Sequence, residues 1–311
     1  MKYGFGVDLG GTTVKIGLFT DSGVLLEKWE IPTVTEENGE KILPDIADAV
    51  LACLEEKKIA REDVFGIGLG VPGAVKADGT VNRCINLGWG VRNAAQELSA
   101  LTGMPVKTGN DANLAALGEA WRSGCDNLLM VTFGTGVGGG IVLDGKPLYG
   151  VHGGAGEIGH MTLEPGETEL CACGKRGCAE QYCSATGIVR LAKLQLQKTD
   201  MGNMLRKENL SCKDVFDAGK AGDPLARMVL AEVFAYMGRF LADACCCIDP
   251  ERVVIGGGVS RAGQYLLDGI KPWFDKYIFH ASNTVIFQLA ILGNDAGMYG
   301  AVKLAMDAFL N

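Results

Sequence analysis

The sequence predicts an α/β protein built as two related domains, and three observations carry that expectation. Its 311 residues exceed the roughly 250 to 300 at which a single hydrophobic core stops growing. Strand-like and helix-like runs alternate along the chain instead of segregating by type. A unit of strand, glycine turn, strand and polar turn occurs twice, once from the start of the chain and again from Leu128 to Gly145, which reads as an internal duplication. Two such halves are expected to face each other across a cleft, each offering a glycine hairpin to one shared ligand.

Taken in order, the opening residues form three strands, about 3 to 9, 14 to 19 and 24 to 31, split by Gly10-Gly11-Thr12-Thr13 and by Asp21-Ser22-Gly23. Both interruptions have turn compositions. The first turn leads into Val14 to Phe19, a strand, whereas dinucleotide and Walker-type phosphate loops lead from a strand into a helix, so those two folds are disfavoured. An amphipathic helix follows at about 40 to 57, then strand 64 to 71 stopped by Pro72-Gly73, a helix near 92 to 102, strand 105 to 109 and a helix from Ala112 to Arg122. Leu128 to Phe133, the turn Gly134 to Gly139, Ile141 to Leu143 and Asp144-Gly145 repeat the opening pattern. Residues 194 to 224 read as a connection with a short helix. The apolar helix at 225 to 248 is interrupted by Glu232, Arg239 and Asp243, short of the roughly 20 apolar residues a bilayer demands. Its place is a protein interior.

A net charge of −8 without any Lys/Arg cluster opposes an electrostatic footprint for nucleic acid or anionic lipid. Phosphates, if bound, must rest largely on backbone amides. The eleven cysteines are odd in number and unevenly spread, and Met1 to Asp8 shows no secretory signal, so the expected compartment is the reducing cytoplasm.

The turn at Gly10, Gly11, Thr12 and Thr13, with Asp8 before it and Lys15 after it, is a first phosphate-binding set: glycines admit phosphate oxygens to the backbone, and Asp8 would hold Mg²⁺ directly or through water. An ordinary hairpin is the plainer alternative. Gly134, Thr135 and Gly136 supply a second set. Gly256, Gly257 and Gly258 follow a buried-looking strand, where bare backbone suits a purine or ribose; a loop-to-helix junction capped by Ser260 is the alternative. Asn110-Asp111 stands where a strand gives way to a helix, at the carboxyl edge where α/β ligand crevices form. Both residues are favoured helix starts, and Asn110 can cap or orient while Asp111 acts as general base toward an alcohol.

Cys171, Cys173 and Cys178, preceded by His160, offer three thiolates and one imidazole, a closed tetrahedral shell for a structural Zn²⁺. Cys183 is the rival fourth ligand. Beside this knot, Glu157 and Glu180 can each grip adjacent sugar hydroxyls, and His160 can offer its second ring nitrogen to another; solvated surface glutamates are the plainer alternative. Cys245, Cys246 and Cys247 are expected to pack within a helix, since consecutive helical positions point about 100° apart and cannot share one metal.

Together these residues resemble the ROK family (repressors, open reading frames and kinases), most closely its bacterial ATP-dependent glucokinases. The resemblance runs from Val7-Asp8-Leu9-Gly10-Gly11-Thr12 through Gly70-Val71-Pro72-Gly73, Asn86-Leu87-Gly88-Trp89, Asn110 to Asn113 and Gly134-Thr135-Gly136, then Glu157 to His160, the cysteine run through Glu180, and Gly256 to Gly258. It implies transfer of the γ-phosphate of ATP to the 6-hydroxyl of glucose with Asp111 as catalytic base. It implies Gly73, Asn86, Asn110, Glu157, His160 and Glu180 around the sugar, and zinc held by His160, Cys171, Cys173 and Cys178. A two-domain actin-like fold and a homodimer are implied as well. In that fold a last helix at about 296 to 309 returns to the amino-terminal domain, giving one domain of residues 1–108 plus 294–311 and a second of 109–293, with Asp295 as helix cap or nucleotide-loop residue. Kinases of N-acetylmannosamine, N-acetylglucosamine, fructose or allose share these motifs, and polyphosphate is an alternative donor. Sugar-sensing repressors of the family carry a DNA-binding module ahead of the first glycine turn, which the short run before Asp8 makes unexpected. A stand-alone ATPase would not need the paired glutamates or the zinc knot.

Overall fold

The computed structural model describes residues 1–76, 78–199 and 204–310. The elements begin with β1 (Tyr3–Leu9), β2 (Thr13–Thr20), β3 (Leu25–Pro32), the short α1 (Glu36–Gly39), α2 (Ile42–Lys57) and β4 (Val64–Val71). The ribbon strands β5 (Thr80–Val81) and β6 (Arg92–Asn93) precede α3 (Ala94–Thr102), β7 (Val106–Asn110) and α4 (Asp111–Ser123). Then come β8 (Leu128–Phe133), β9 (Val137–Leu143), β10 (Lys146–Pro147), α5 (Glu180–Cys183), α6 (Ala185–Leu196), α7 (Cys212–Lys220), α8 (Pro224–Ile248), β11 (Arg252–Gly256), α9 (Gln264–Tyr277), β12 (Ile286–Leu289) and α10 (Ala296–Phe309). Two compact units result, one of Met1–Asp126, Gly140–Gly156 and the chain from Leu292 onward, the other of Asn127–Gly139 and Glu157–Ile291.

In the first unit the sheet runs β3-β2-β1-β4-β7, antiparallel among the first three and parallel from β1 through β4 to β7. Burial follows position. β4 is buried along its whole length, as a central strand should be, whereas β3 alternates half-buried with exposed residues at the edge. On one face Ile42, Ile46, Val50 and Leu54 of α2 pack with Phe5, Val7, Ile67 and Leu69. α2 stops at Lys58, which takes a left-handed φ of 55° and donates its N–H back to the Leu54 carbonyl. On the other face Met298, Val302 and Ala305 of α10 meet Phe19 and Phe65.

The second sheet has the order β10-β9-β8-β11-β12, with β8, β11 and β12 parallel and β9 and β10 antiparallel. That is the first sheet's succession repeated, so the duplication expected from the glycine turns is present. α8 caps its N-terminus with Asp223, whose carboxylate accepts from the Ala226 N–H, and begins at Pro224. Its Phe240 stacks edge-on against Phe133 of β8, and Phe274 of α9 does the same to Phe287 of β12.

Several expectations shift. The second glycine turn is shorter than its composition suggested, because β9 already starts at Val137; a Cβ at Gly140 would stand 2.5 Å from the Ala112 carbonyl, so that glycine serves close packing on α4. The units divide the chain later than position 108, because α4 packs along α10 and stays with the first unit. The connection at 194–224 contains α7 and the end of α6; residues 200–203 within it, and residue 311 at the end of the first domain, lie outside the described residues. Of the three consecutive cysteines only Cys245 is buried; Cys246 and Cys247 are exposed on the last turn of α8. Among the described residues no helix is long and apolar enough to cross a membrane.

Candidate active site

In the first unit the parallel strands β1, β4 and β7 bring their carboxyl ends to one edge, with Asp8 in register with Gly70 and Val71 with Asn110. The turn after β1 closes when the Gly10 N–H donates to the Thr13 carbonyl at 3.0 Å. Thr33 braces it, its N–H reaching the Thr12 carbonyl at 3.0 Å and its hydroxyl the Gly10 carbonyl at 2.8 Å. Nothing else approaches the position a Cβ would take at Gly11, so the tip is open.

Asp8 is pressed onto the first turn of α10, where a Cβ at Gly297 would lie 2.6 Å from its carboxyl carbon. Burial pushes the Asp8 carboxyl up, the Lys15 ammonium across the hairpin pulls it back, and the negative charge of Asp295 adds to the rise. Lys15 does not point freely into the turn; it donates to the Asn294 carbonyl at 2.7 Å. Asp295 occupies the N-cap position of α10 without a capping bond, because its carboxylate pairs with Lys28 at 2.5 Å.

Asn110 does both things expected of it. Its carbonyl oxygen accepts from the Asn113 N–H at 3.0 Å and caps α4, while its amide donates to the Gly73 carbonyl at 2.9 Å and to Asp111 Oδ1 at 3.0 Å. The Ala112 N–H also donates to Oδ1, at 2.8 Å. The half-buried Asp111 carboxylate is thereby fixed at the N-terminus of α4. The Cys84 thiol is pushed up mainly by burial, and the Asp111 charge adds to the rise; Asn86, two residues on, is exposed.

In the second unit Gly134–Gly136 and Gly256–Gly258 end the paired strands β8 and β11, Gly256 lying in register with Thr132. Gly257 has a φ of 79°, and a Cβ there would lie 2.5 Å from the Phe133 carbonyl, so no other residue fits. Ser260 donates its hydroxyl to the Gly257 carbonyl and does not cap α9, whose N-cap is Gly263. The turn after β8 is tied down by α6: the Ala185 N–H donates to the Gly134 carbonyl and the Thr186 hydroxyl to the Thr135 carbonyl, each at 2.8 Å. Glu180 Oε2 accepts from the Val137 N–H at 3.0 Å.

A cavity of about 610 Å³ opens beside this turn, lined by Thr135, Thr186, Val189, Arg190, Lys193 and Cys212 among others. Sequence reasoning gave α6 and α7 no place in a site. The available signal was Ser184 ahead of a helical spacing of Ile188, Leu191 and Ala192, a capped amphipathic helix.

His160, Cys171, Cys173 and Cys178 converge with all ligand atoms within 4.8 Å of one another. Cys173 and Cys178 sulfurs are 3.6 Å apart, and Cys171 Sγ is 3.8 Å from His160 Nδ1. A tetrahedral Zn²⁺ with ordinary bond lengths has ligand edges of about 3.5 to 3.8 Å, so the residues fit that ion. Burial pushes the Cys171 thiol up and that of Cys178 up to about 12, while the Lys175 N–H draws Cys173 down; a bound cation reverses the penalty on the first two. Cys183 is completely buried and stands outside the group. Nε2 of His160 turns the other way, 4.0 Å from Glu157 Oε2. Glu180 closes the opposite side with Oε1 3.6 Å from Cys171 Sγ.

Known proteins resemble this chain over nearly its whole length. The family model described as "ROK family" matches residues 4–308. A glucokinase of Halalkalibacterium halodurans is 43% identical over 95% of this chain and 92% of its own. Among solved structures, a ROK hexokinase of Thermus thermophilus superposes with a TM-score of 0.83 at 32% identity, covering 98% of both chains. A ROK family glucokinase of Streptomyces griseus, solved with glucose and AMPPNP, gives 0.73 at 32% identity over 98% of this chain and 99% of that one.

Proposed function

This chain belongs to the ROK family, whose two-domain actin-like fold its repeated sheets display, and on that premise we propose that it is a glucokinase, moving the γ-phosphate of ATP to the 6-hydroxyl of glucose. One observation carries the reading: Asp111 is held at the start of α4 by Asn110, whose amide also bonds the Gly73 carbonyl.

Asp111 accepts the proton of the attacking hydroxyl, and Asn110 keeps its carboxylate aimed. Gly73, Asn86, Asn110, Glu157, the Nε2 side of His160 and Glu180 hold the remaining hydroxyls. Backbone amides of Gly11 to Thr13 and of Thr135 and Gly136 bind phosphate oxygens, the Gly10 and Gly134 N–H groups closing the two turns, and the cavity along α6 takes the base and ribose, Gly256 to Gly258 contributing bare backbone. Lys15 supports the first turn by fixing the Asn294 carbonyl. Asp8 would hold Mg²⁺, directly or through water; bound there, the ion neutralises charge on the transferring phosphate. His160, Cys171, Cys173 and Cys178 would hold Zn²⁺ with no open position, so that it orders the loop presenting Glu157 and Glu180. Cytoplasmic location, supported by eleven cysteines that form no disulfide among the described residues, and a homodimer complete the reading, with glucose 6-phosphate passing to glycolysis.

The test is ADP release from Mg-ATP across a panel of glucose, fructose, allose, N-acetylglucosamine and N-acetylmannosamine, with polyphosphate as a second donor. Glucose with ATP should give the highest kcat/KM. Preference for an amino sugar moves the assignment to another kinase of the family, and no sugar-dependent ADP release refutes it.

A further inference from the structure

The loop carrying the cysteines does more than gather ligands: it sends two carboxylates onto one guanidinium. Arg190 of α6 donates from Nε to Glu169 Oε2 at 2.6 Å and from Nη2 to Glu167 Oε2. Glu167 Oε2 also accepts from the Tyr182 hydroxyl at 2.5 Å, and its Oε1 accepts from the N–H groups of Thr168 and Glu169. The Glu167 side chain is only 10% exposed and that of Arg190 22%, so removing one partner leaves a poorly solvated charge behind. From the same loop the Cys178 N–H donates to Gln181 Oε1, and Gln181 donates to the Glu169 carbonyl. Arg190 and Glu169 in turn line the 610 Å³ cavity together with Thr135. One turn earlier on α6, Ala185 and Thr186 hold the carbonyls of Gly134 and Thr135.

We infer that Arg190 is a positioning residue that couples the cysteine loop to nucleotide binding, the loop's two carboxylates fixing α6 and thereby the cavity wall and the glycine turn it holds. The inference rests on the nucleotide occupying that cavity, as proposed above. It assigns the metal-bearing loop a second output: besides presenting Glu157 and Glu180 to a sugar, it sets the affinity for ATP. The connection lies within one unit: hydrogen bonds run from Cys178 through Gln181 and Glu169 to Arg190, and the backbone of α6 carries it one turn back to Thr186, whose hydroxyl donates to the Thr135 carbonyl.

The experiment measures AMPPNP affinity with Mg²⁺ by calorimetry, without sugar, on the holoprotein, on the holoprotein treated with a zinc chelator, and on an E167Q/E169Q variant with and without chelator. Zinc content and thermal unfolding are recorded for each. Chelation of the wild type should weaken AMPPNP by about 5- to 150-fold, the usual range of coupling between sites. The double variant should lose a similar factor while retaining zinc, and chelating it should cost little more. Unchanged AMPPNP affinity on chelating the wild type, which involves no substitution, overturns the inference, as do two losses that multiply independently. Wild-type holoprotein that binds no AMPPNP overturns the nucleotide reading itself, whereas binding that is indifferent to loop and metal overturns only the coupling.

Discussion

Replacing Asp111 by Asn tests the chemical step most directly, because the structure separates what the substitution keeps from what it removes. Oδ1 accepts from the Asn110 amide at 3.0 Å and the Ala112 N–H at 2.8 Å, and an asparagine carbonyl oxygen can accept both. The cap of α4 belongs to Asn110 and is untouched. What disappears is a site able to take a proton. General base catalysis contributes roughly 10²- to 10⁴-fold, or about 3 to 5 kcal/mol of barrier, and D111N should lower kcat within that range. Its glucose affinity should stay within about threefold and its melting temperature within a few degrees, since both N–H bonds to Oδ1 are kept. A coupled ADP assay, glucose-induced fluorescence change and a thermal melt read these three quantities. A kcat within tenfold of wild type, with normal sugar binding, refutes the base.

The metal reading predicts about one zinc per chain by elemental analysis; C173S should lose it together with glucose affinity, and full activity in metal-free protein would end the claim. For Glu167, burial by itself raises the carboxyl, but N–H bonds from Glu169 and Thr168 and donors from Tyr182 and Arg190 outweigh it and bring it down to about 2, from an ordinary 4.5. A depressed carboxyl stabilises the fold above its ordinary value and loses that contribution as pH falls from about 4.5 toward 2, here on the order of 3 kcal/mol. E167Q should therefore melt well below wild type at pH 7 and by clearly less at pH 3, where roughly two fifths of the contribution remains; a constant gap would contradict the linkage. G257A must force a left-handed backbone and a 2.5 Å clash with the Phe133 carbonyl, so nucleotide affinity should fall more than tenfold while glucose affinity holds; unaltered AMPPNP binding would remove that turn from the site.

The repeat was legible because a strand, a glycine turn and a second strand leave a local pattern, and Asp21-Ser22-Gly23 and Asp144-Gly145 mark its close in each copy. The capping bond of Asn110 was legible for the same reason, lying three residues from its partner. Cys183 as against His160 was not decidable by spacing; the structure gathers the ligand atoms of His160, Cys171, Cys173 and Cys178 and leaves Cys183 outside that group. Nor could spacing show that Lys15 reaches Asn294, 279 positions away, or that Asp295 prefers Lys28 to its own helix. The cavity along α6 was illegible because its walls come from four separate stretches of chain and carry no motif.

The two glycine turns, alike in sequence, are braced by different means, and the difference explains why the cysteine loop sits where it does. After β1 the turn is held from its own neighbouring strand, since Thr33, just past β3, bonds both Gly10 and Thr12. The equivalent third strand in the second copy, β10, is only two residues long and offers no such residue. Its task passes to the segment that follows, where Glu180 takes the Val137 N–H and Ala185 and Thr186 take the carbonyls of Gly134 and Thr135. Glu180 lies two residues after Cys178 and touches Cys171. A Cβ at Gly136 would stand 2.3 Å from its carboxylate, so that carboxylate cannot move without freeing the turn. A metal on the cysteines, as proposed, would fix the same glutamate that completes the turn, and the loop would gain from it the rigidity that a full-length strand supplies in the other copy.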